Sequence, residues 1–440
     1  MGKTGRCLLA GLTLWVGLTA CSAGVTPGRR AESTDASRQP LFVPSRIPGR
    51  PLAVEWDPKR DAHVLTRLDP QTLRTRGRLD LGAQGVNLTA ASPDGSRLLY
   101  GSGKQLLLVI DPARLRVVRE IELHKRFVRD LAWVEDRVAI ATTVWQGTTR
   151  FVRFDPTTGE ILGVRRMEGE AFRFARIGKG VVVLTAGPGR DETDRPGPVT
   201  IAVAESSGRV VSRRIDDVRG GFFDPEDPDE IATNVEPALA ARGSLATVVG
   251  VDGTIVNVDL TDLQVTVEGR SDSFFSALGR WLAPPAEAKI ANATSLRATW
   301  ASPDSLVVAG YRTQGTLGPG RSLEYSNDPA GLTVIDPADW SARELDGEGT
   351  IATPTGDLVL VSQEYLPGQV QGESIGLRAY DPDGTLAWEA FDGKAVWEPV
   401  VHEGHVFLTF GWSKIRVHSV DLATGEVLGS NPIPLTVLPW

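Results

Sequence analysis

Residues 86–123 read VNLTAASPDGSRLLYGSGKQLLLVIDPARLRVVREIEL, which is four short apolar segments separated by turns. The segments cover residues 86–92, 97–101, 105–111 and 117–123. Pro93-Asp94-Gly95 separates the first two and Asp111-Pro112 follows the third, as expected for tight turns built from acidic residues, proline and glycine. Short strands at this spacing predict a small antiparallel sheet of four strands.

The third segment of this unit is one of eight similar strands along the chain. Each ends at an acidic residue that can hydrogen-bond the backbone of the turn ahead of it: Asp69, Asp111, Asp155, Glu205, Asp259, Asp336, Asp381 and Asp421. Successive members are 42, 44, 50, 54, 77, 45 and 40 residues apart. A period of about 40–45 residues with four short strands per unit indicates a β-propeller. We therefore predict an all-β domain over residues 41–440, with eight four-stranded blades, or seven if one hairpin is an insertion.

The first unit lacks an obvious innermost strand. Its other strands are predicted at residues 52–56, 63–69 and 75–81. Either Leu41–Ile47 or the C-terminal Leu435–Trp440 could supply the missing one. We favour the C-terminal segment because pairing the two ends of the chain closes the ring and removes an exposed sheet edge.

Two kinds of turn motif resemble known propeller repeats. Residues 92–100 (SPDGSRLLY) resemble the first turn of the YVTN-type repeat, and residues 380–388 (YDPDGTLAW) and 421–425 (DLATG) resemble the quinoprotein-like (PQQ-like) repeat. The quinoprotein-like repeat closes each blade with a tryptophan, which only Trp388 matches, whereas Gly163 and Gly429 stand where others are expected. The resemblance spans residues 50–435 and implies the propeller fold, but it brings no catalytic residues with it.

The N-terminus has the three zones of an export signal. Lys3 and Arg6 give a positive start, Leu8–Ala20 is free of charge, and small residues precede Cys21. The uncharged run has 13 residues, fewer than the about 20 that a membrane-spanning helix needs. Its end, Leu18-Thr19-Ala20-Cys21, resembles the bacterial lipobox.

The lipobox resemblance implies a signal peptide over residues 1–20 and lipidation of Cys21, with acyl chains such as palmitate as the anchor. Residues 21–40 are small, polar or charged and indicate a flexible tether. The protein is then exported and lipid-anchored on the extracytoplasmic side of a membrane of the cell envelope. The alternative is an ordinary secretory signal in which Cys21 is incidental.

Composition narrows the classes of function. The net charge of −8 argues against nucleic-acid binding, because an acidic surface repels phosphate. The chain has 2 Cys and 5 His, too few for a cysteine framework or a metal array. His402-Glu403-Gly404-His405 lacks the spacing of a zinc-binding pair and favours a turn between two strands. Because no catalytic motif is present either, we expect no cofactor, no metal and no catalytic set.

Five long segments are predicted to leave the same face of the disc. They are residues 186–197, 217–235, 270–295, 311–329 and 363–374, which we assign to connections between the second and third strands of a blade or between successive blades. We call this the long-loop face. Aromatic residues are enriched at binding hot spots, and the candidates on this face are Trp145, Phe222, Phe223, Trp281, Tyr311, Tyr325, Tyr365 and Trp412.

Two functions from different classes fit these observations. The first is a binding or scaffold module that holds a protein or cell-wall partner at the long-loop face, as in the envelope lipoproteins with quinoprotein-like propellers that the chain resembles. The second is an extracytoplasmic hydrolase or lyase at the mouth of the central channel. An enzyme would need carboxylates or histidines that converge on the axis from several blades, which the sequence cannot reveal. The sequence favours the binding module.

Overall fold

The computed structural model describes residues 51–438 except 58–61, 83–84, 103–105, 124–126, 187–196, 224–231, 271–288, 318–322, 364–373, 397–398, 411–415 and 432–435. The predicted signal peptide, Cys21 and the tether lie outside these described residues. The described residues form eight sheets and no helix. A helix long and apolar enough to cross a membrane is therefore not found among them. The all-β prediction is confirmed.

Each sheet is a blade whose strands follow one another from the inside of the ring outwards. Blade 1 contains β1 (Leu52–Asp57), β2 (Ala62–Leu68) and β3 (Thr75–Gly82); blade 2 contains β4 (Gly85–Ala91), β5 (Leu98–Ser102), β6 (Leu106–Asp111) and β7 (Arg116–Glu122). Blade 3 contains β8 (Phe127–Glu135), β9 (Val138–Trp145), β10 (Thr148–Phe154) and β11 (Ile161–Glu168); blade 4 contains β12 (Glu170–Ile177), β13 (Gly180–Ala186), β14 (Pro198–Glu205) and β15 (Val210–Arg219).

The second half of the ring begins with a short hairpin, β16 (Gly221–Phe223) and β17 (Ala232–Glu236). Blade 5 contains β18 (Ala238–Arg242), β19 (Leu245–Val249), β20 (Thr254–Asp259) and β21 (Val265–Arg270); blade 6 contains β22 (Lys289–Ser302), β23 (Ser305–Leu317), β24 (Leu323–Ile335) and β25 (Ala342–Asp346). Blade 7 contains β26 (Ile351–Pro354), β27 (Val359–Ser362), β28 (Leu377–Tyr380) and β29 (Leu386–Ala390); blade 8 contains β30 (Val400–His402), β31 (His405–Phe410), β32 (Arg416–Asp421) and β33 (Val427–Asn431).

The ring is closed by the two ends of the chain. Strand β34 (Thr436–Leu438) pairs antiparallel with β1, so that Leu438 lies opposite Leu52 and Thr436 opposite Val54. It completes blade 1 as the fourth strand. Closure by the C-terminal segment, and with it the count of eight blades, is therefore confirmed.

The core consists of layers between the blades. Each hydrophobic cluster among the described residues joins two neighbouring sheets; one of them, for example, contains Leu99 of blade 2 together with Trp133 and Phe154 of blade 3. The same holds around the whole ring, including a cluster that joins blade 8 to blade 1. A single four-stranded sheet cannot bury both of its faces, so stacking around an axis supplies the cover.

The acidic residues at the strand ends act as the sequence predicts. The Asp155 carboxylate accepts a hydrogen bond of 2.7 Å from the backbone amide of Thr157, and the Asp421 carboxylate accepts one of 3.0 Å from that of Ala423. Asp69, Asp111, Asp259 and Asp336 accept equivalent bonds from amides two or three residues ahead. Each of these turns is thus stabilised by the side chain of the acidic residue that begins it.

Blade 6 differs from the prediction. Residues 311–317 and 323–329 of the predicted loop are strands instead, because β23 and β24 continue as a long hairpin in which Tyr311 lies opposite Pro329 and Thr313 opposite Asn327. Strand β17 pairs in parallel with the first half of β22 and, with β16, extends the sheet to six strands. The extension is polar, so its side chains do not show the apolar alternation by which strands are predicted.

Candidate functional site

The inner strands of blades 3 and 4 begin at the long-loop face, because the connection between successive blades leaves that face. Both strands are irregular at this end. In β8, Val128 pairs with Thr143 and Asp130 with Thr142. Arg129 is therefore an extra residue that lies opposite no residue of β9. In β12, Phe172 is the extra residue between Ala171 and Arg173. Bulges of this kind redirect side chains and are frequent near functional sites.

The bulged strands bring charged groups together at the end of the central channel. Arg129 and Asp130 come from blade 3, Glu170 and Arg173 from blade 4, and Glu236 from the inserted strand β17. We call these five residues the mouth cluster. Arg129 is their common neighbour, since Glu170, Glu236, Arg173 and Asp130 all act electrostatically on it. Carboxylates from different blades therefore converge at one place.

One half of the mouth cluster is fully paired. Arg173 forms a 2.6 Å ion pair with Glu236 and donates hydrogen bonds to the Ser295 hydroxyl (2.6 Å) and to the Leu296 carbonyl (2.9 Å). Asn234 adds a hydrogen bond of 3.1 Å to the Glu236 carboxylate. Burial alone would raise the pKa of Glu236, but Arg173 and these hydrogen bonds together lower it. This half of the mouth cluster joins blade 4 to the extended sheet of blade 6.

The other half has unused hydrogen-bonding capacity. Among the described residues, no carboxylate lies within 4.0 Å of the Arg129 guanidinium, and burial lowers its pKa to about 10. Burial raises the pKa of Asp130 to about 7, although the Leu131 amide and Arg129 act against it. Burial also raises the pKa of Glu170. Near neutral pH this half can offer a guanidinium and a protonated carboxyl as donors, and carboxylates as acceptors.

The structure describes the side chains of two of the eight sequence-based candidates, Trp145 and Tyr311. Trp145 is half-buried at the end of β9, and Tyr311 is buried within β23, with 6% of its surface exposed. The backbones of Phe222 and Phe223 belong to β16 and that of Tyr325 to β24. Trp281, Tyr365 and Trp412 lie outside the described residues. The prediction that Tyr311 lies in an exposed loop is wrong, because Tyr311 is buried within a sheet.

The mouth cluster was not anticipated from the sequence. Its residues are ordinary charged side chains without a local motif, and only the folded ring brings them together. A usable signal was the presence of charges at the start of innermost strands, where a buried strand should be apolar. No group of three or more potential metal ligands occurs among the described residues.

The interpretation of residues 402–405 as a turn is confirmed. His402 and His405 face each other as the last pair of β30 and β31, and Glu403 and Gly404 adopt positive φ angles of 48° and 77° between them. The His402 ring is buried and lies 3.6 Å from the Glu403 carboxylate. The pair belongs to a hairpin of blade 8.

Comparison with protein families gives one partial match. Residues 56–179 match the glutamine cyclotransferase family. This segment runs from β1 to the turn after β12 and contains four of the five mouth-cluster residues, but it is less than half of the chain. No curated protein sequence matches the chain.

Solved structures share the fold at low identity. Dihydro-heme d1 dehydrogenase NirN in complex with DHE aligns with a TM-score of 0.54 and 13% identity over 90% of this chain and 78% of that chain. AztD from Citrobacter koseri aligns with a TM-score of 0.51 and 10% identity over 88% of this chain and 96% of that chain. The computationally designed Ika8 protein aligns with a TM-score of 0.50 and 14% identity over 79% of this chain and 88% of that chain. These likenesses place the chain in the β-propeller class.

Proposed function

We propose that this protein is an exported, lipid-anchored β-propeller that binds a protein or cell-wall partner at its long-loop face. The observation that carries the proposal is the position of the mouth cluster. The half of the cluster formed by Arg129, Asp130 and Glu170, which makes no ion pair among the described residues, lies at the end of the disc from which the long connections leave. A rigid ring that presents long connections and charged groups at one end is suited to recognition.

The mouth cluster and the aromatic candidates have complementary roles in this proposal. Large aromatic side chains on the long connections supply apolar contact area, and Trp145 at the end of β9 is half-buried. Arg129 and the adjacent carboxyls supply oriented hydrogen bonds at the centre. Such an interface has an apolar contact zone and a few polar groups that fix orientation.

The proposed anchor fits this use of one face. Two or more acyl chains on Cys21 would hold the protein at the membrane, whereas one chain gives only reversible binding. A flexible tether over residues 21–40 has a root-mean-square reach of about 25 Å, from ~5–6 Å times the square root of its length. The disc can therefore turn its long-loop face toward a partner in the envelope.

Photo-crosslinking tests the binding face. A photoreactive amino acid is placed at Glu168, which is exposed at the end of β11 on the long-loop side of blade 3. The matched control carries it at Thr157, which is exposed in the turn between β10 and β11 on the opposite face. Both positions belong to the same blade, so expression and anchoring should be equal. We expect a specific adduct in the native envelope from the Glu168 position only.

Two outcomes would contradict the proposal. Adducts of equal yield from both positions would indicate contact without a preferred face. An adduct from the Thr157 position alone would place the partner on the opposite side of the disc. A Cys21→Ala variant that still fractionates with membranes would separately remove the lipid anchor from the proposal.

A second candidate function is an enzyme at the channel mouth. Two observations favour it: carboxyl groups from separate blades converge there, and the pKa of Asp130 is raised to about 7, the range that suits a general acid or base. The match to glutamine cyclotransferase covers the segment that contains Asp130 and Glu170. Cyclisation of an N-terminal glutamine joins its α-amine to the side-chain carbonyl and expels ammonia, a step that a positioned carboxylic acid could assist by protonating the leaving nitrogen.

Ammonia release from a peptide with N-terminal glutamine tests this candidate. Wild-type protein should release ammonia with a rate that falls at least 100-fold in Asp130→Asn. Glu168→Gln is the matched control, because this exposed carboxylate is two residues from Glu170 along the chain but outside the mouth cluster. Absence of turnover by the wild type over the range of pH 5 to 9 would rule out this reaction and leave the binding proposal intact.

A further inference from the structure

Neighbouring blades are locked together at the outer edge of the ring, and the clearest case is between blades 7 and 8. Trp388 on the outer strand β29 donates a hydrogen bond of 3.0 Å from its indole Nε1 to the Leu422 carbonyl in the last turn of blade 8. The ring lies directly on that turn, since a Cβ on Gly425 would come within 2.7 Å of it. An indole thus fills the space between an outer strand and the next turn.

Gly163 occupies the position in blade 3 that Trp388 occupies in blade 7. Each is the residue paired just before the register shift between the third and fourth strands: Trp388 opposite Ala379, and Gly163 opposite Arg153. The receiving turns also correspond. The Ser206 amide of blade 4 donates a hydrogen bond of 2.8 Å to the Lys179 carbonyl. In blade 8, the Leu422 amide likewise donates one of 2.9 Å to the Gly404 carbonyl.

Arg153 replaces the hydrogen bond of the missing indole and lies on the corresponding turn, since a Cβ on Gly208 would come within 2.5 Å of its guanidinium. Its guanidinium donates a hydrogen bond of 2.8 Å to the Ser206 carbonyl, the counterpart of the Leu422 carbonyl. A second bond of 3.2 Å reaches the Leu162 carbonyl. The guanidinium therefore satisfies and covers the turn, and it leaves space directly at Gly163, where a Cβ would lie 3.9 Å from its nearest atom.

Gly77 and Gly429 occupy the same position in blades 1 and 8, and neighbouring residues fill the space beside each of them. A Cβ on Gly77 of blade 1 would lie 2.5 Å from Leu115, and one on Gly429 of blade 8 would lie 2.9 Å from the Gln71 carbonyl. At Gly163 the only such contact is with Arg153, at 3.9 Å. The junction between blades 3 and 4 therefore keeps the space that the other two have closed.

The space above Gly163 is part of a cavity of about 230 Å³. Its floor consists of buried apolar residues, Ile140, Phe151 and Ala204, and Arg165 and Ser207 at its edge are exposed to solvent. An apolar cavity of about 150 Å³ is large enough to take up benzene. The cavity is thus accessible and large enough for an aromatic side chain.

We propose that this cavity binds an aromatic side chain presented by a partner protein, with the indole of tryptophan as the best fit. The Arg153 guanidinium lies on the turn of blade 4 as the Trp388 indole lies on the turn of blade 8, so an aromatic ring in the cavity beside it can stack on that guanidinium. Arg153 and Arg165 extend from the same face of blade 3 as Gly163, since Phe151 lies opposite Arg165 and Arg153 opposite Gly163. Guanidinium groups favour aromatic rings over aliphatic side chains of similar size.

The proposal is independent of the proposed function. The cavity lies beside the turn between the last two strands of blade 4, on the opposite side of the disc from the long-loop face. A partner that uses it would contact the outer edge of blades 3 and 4 and leave the channel mouth free.

The probe is N-acetyl-L-tryptophanamide, with N-acetyl-L-leucinamide as the aliphatic comparison, and binding to the folded protein is measured by saturation-transfer NMR and calorimetry. Gly163→Trp supplies the missing indole from the chain itself; its matched control is Gly178→Trp, at an exposed turn with open space around it. We expect the wild type and Gly178→Trp to bind the tryptophan probe. We expect Gly163→Trp to bind it at least tenfold more weakly and to melt at a higher temperature.

Three results would overturn the proposal: no binding of the tryptophan probe to the wild type, undiminished binding to Gly163→Trp, or equal binding of the leucine probe. If Gly163→Trp does not fold, Gly163→Leu serves as the blocking variant with the same expectations. Retained crosslinking from the Glu168 position in Gly163→Trp would show that the two faces act separately.

Discussion

The Arg173 guanidinium and the Glu236 carboxylate form a 2.6 Å ion pair that joins the inner strand of blade 4 to the strand inserted beside blade 6. Their side chains are 18% and 12% exposed, so the pair is largely withdrawn from water. It fixes one half of the channel mouth, whereas Arg129, Asp130 and Glu170 form no ion pair among the described residues.

Removing one member of this pair should destabilise the fold. Arg173→Ala leaves the Glu236 carboxylate buried without a counter-charge, which costs about 3 kcal/mol. Urea unfolding monitored by tryptophan fluorescence measures the loss. The Arg173→Met/Glu236→Leu double variant is the control and should lie within about 1 kcal/mol of the wild type, because it removes both charges. A single variant as stable as the double variant would contradict this account.

The same pair predicts a pH dependence. The pKa of Glu236 is lowered in the folded protein, so its pairing stabilises the fold above the unfolded carboxyl pKa of about 4.3 and the contribution is lost as the pH falls below it. The difference in unfolding free energy between wild type and Glu236→Gln should therefore shrink between pH 6 and pH 3. Unfolding curves at four pH values suffice; a constant difference would argue against an ionised Glu236.

Asp130 predicts the opposite dependence. Its folded pKa of about 7 lies above the unfolded value, so the folded state binds the proton more tightly, and stability falls as the pH rises from about 4 to 7. Asp130→Asn should stabilise the protein by up to about 4 kcal/mol at pH 8 and have little effect at pH 4. The check is thermal unfolding of both proteins across that range, with Glu168→Gln as the control. An unchanged pH slope in Asp130→Asn would be inconsistent with a buried, titrating carboxyl at this position.

Loss of the closing strand should open the ring. Truncation after Asn431 removes β34 and leaves the edge of β1 unpaired, and the loss of its ladder should cost about 3 kcal/mol at ~1 kcal/mol for each hydrogen bond. The melting temperature should fall, and the exposed edge should promote association visible by size-exclusion chromatography. A synthetic peptide of residues 432–440 is the control and should restore both properties. A truncated protein with the stability of the full chain would show that closure is dispensable.

The indole of Trp388 should be the strongest single lock at the outer edge. Trp388→Ala removes its packing and its bond to Leu422 and should cost about 3–5 kcal/mol, whereas Trp388→Phe should cost about 1 kcal/mol because most of the packing remains. Chemical denaturation measures both. Equal losses in the two variants would assign the effect to the hydrogen bond alone.

The fold was predictable because its information is local. The carboxylate, proline and glycine of each turn lie within a few residues of one another, as at Asp155 and Asp421, and their spacing reveals the period. The C-terminal closure followed from the need to pair an exposed edge. The extended hairpin of blade 6 was missed because its strands are polar, so the alternation that marks a strand is absent where a sheet extends beyond the core.

The candidate site was far less predictable. Asp130 and Glu236 are more than 100 residues apart, and nothing near either one indicates the other. The aromatic candidates were chosen for residue type on predicted loops, and Tyr311 proved to be buried in a strand. The glycines at positions 163 and 429 were visible as departures from the repeat, but their different environments were not.

The sequence by itself determined the class of fold, the number of repeats, the turn chemistry and the expectation of a lipidated Cys21, since each depends on residues adjacent in the chain. Only the tertiary structure decided which charged groups share the channel mouth, which of them are paired, and that the space beside Gly163 is open while that beside Gly77 is filled. The physical reason is that ring closure brings the starts of separate strands to one axis. Burial and pairing there depend on distances between blades that no local pattern records.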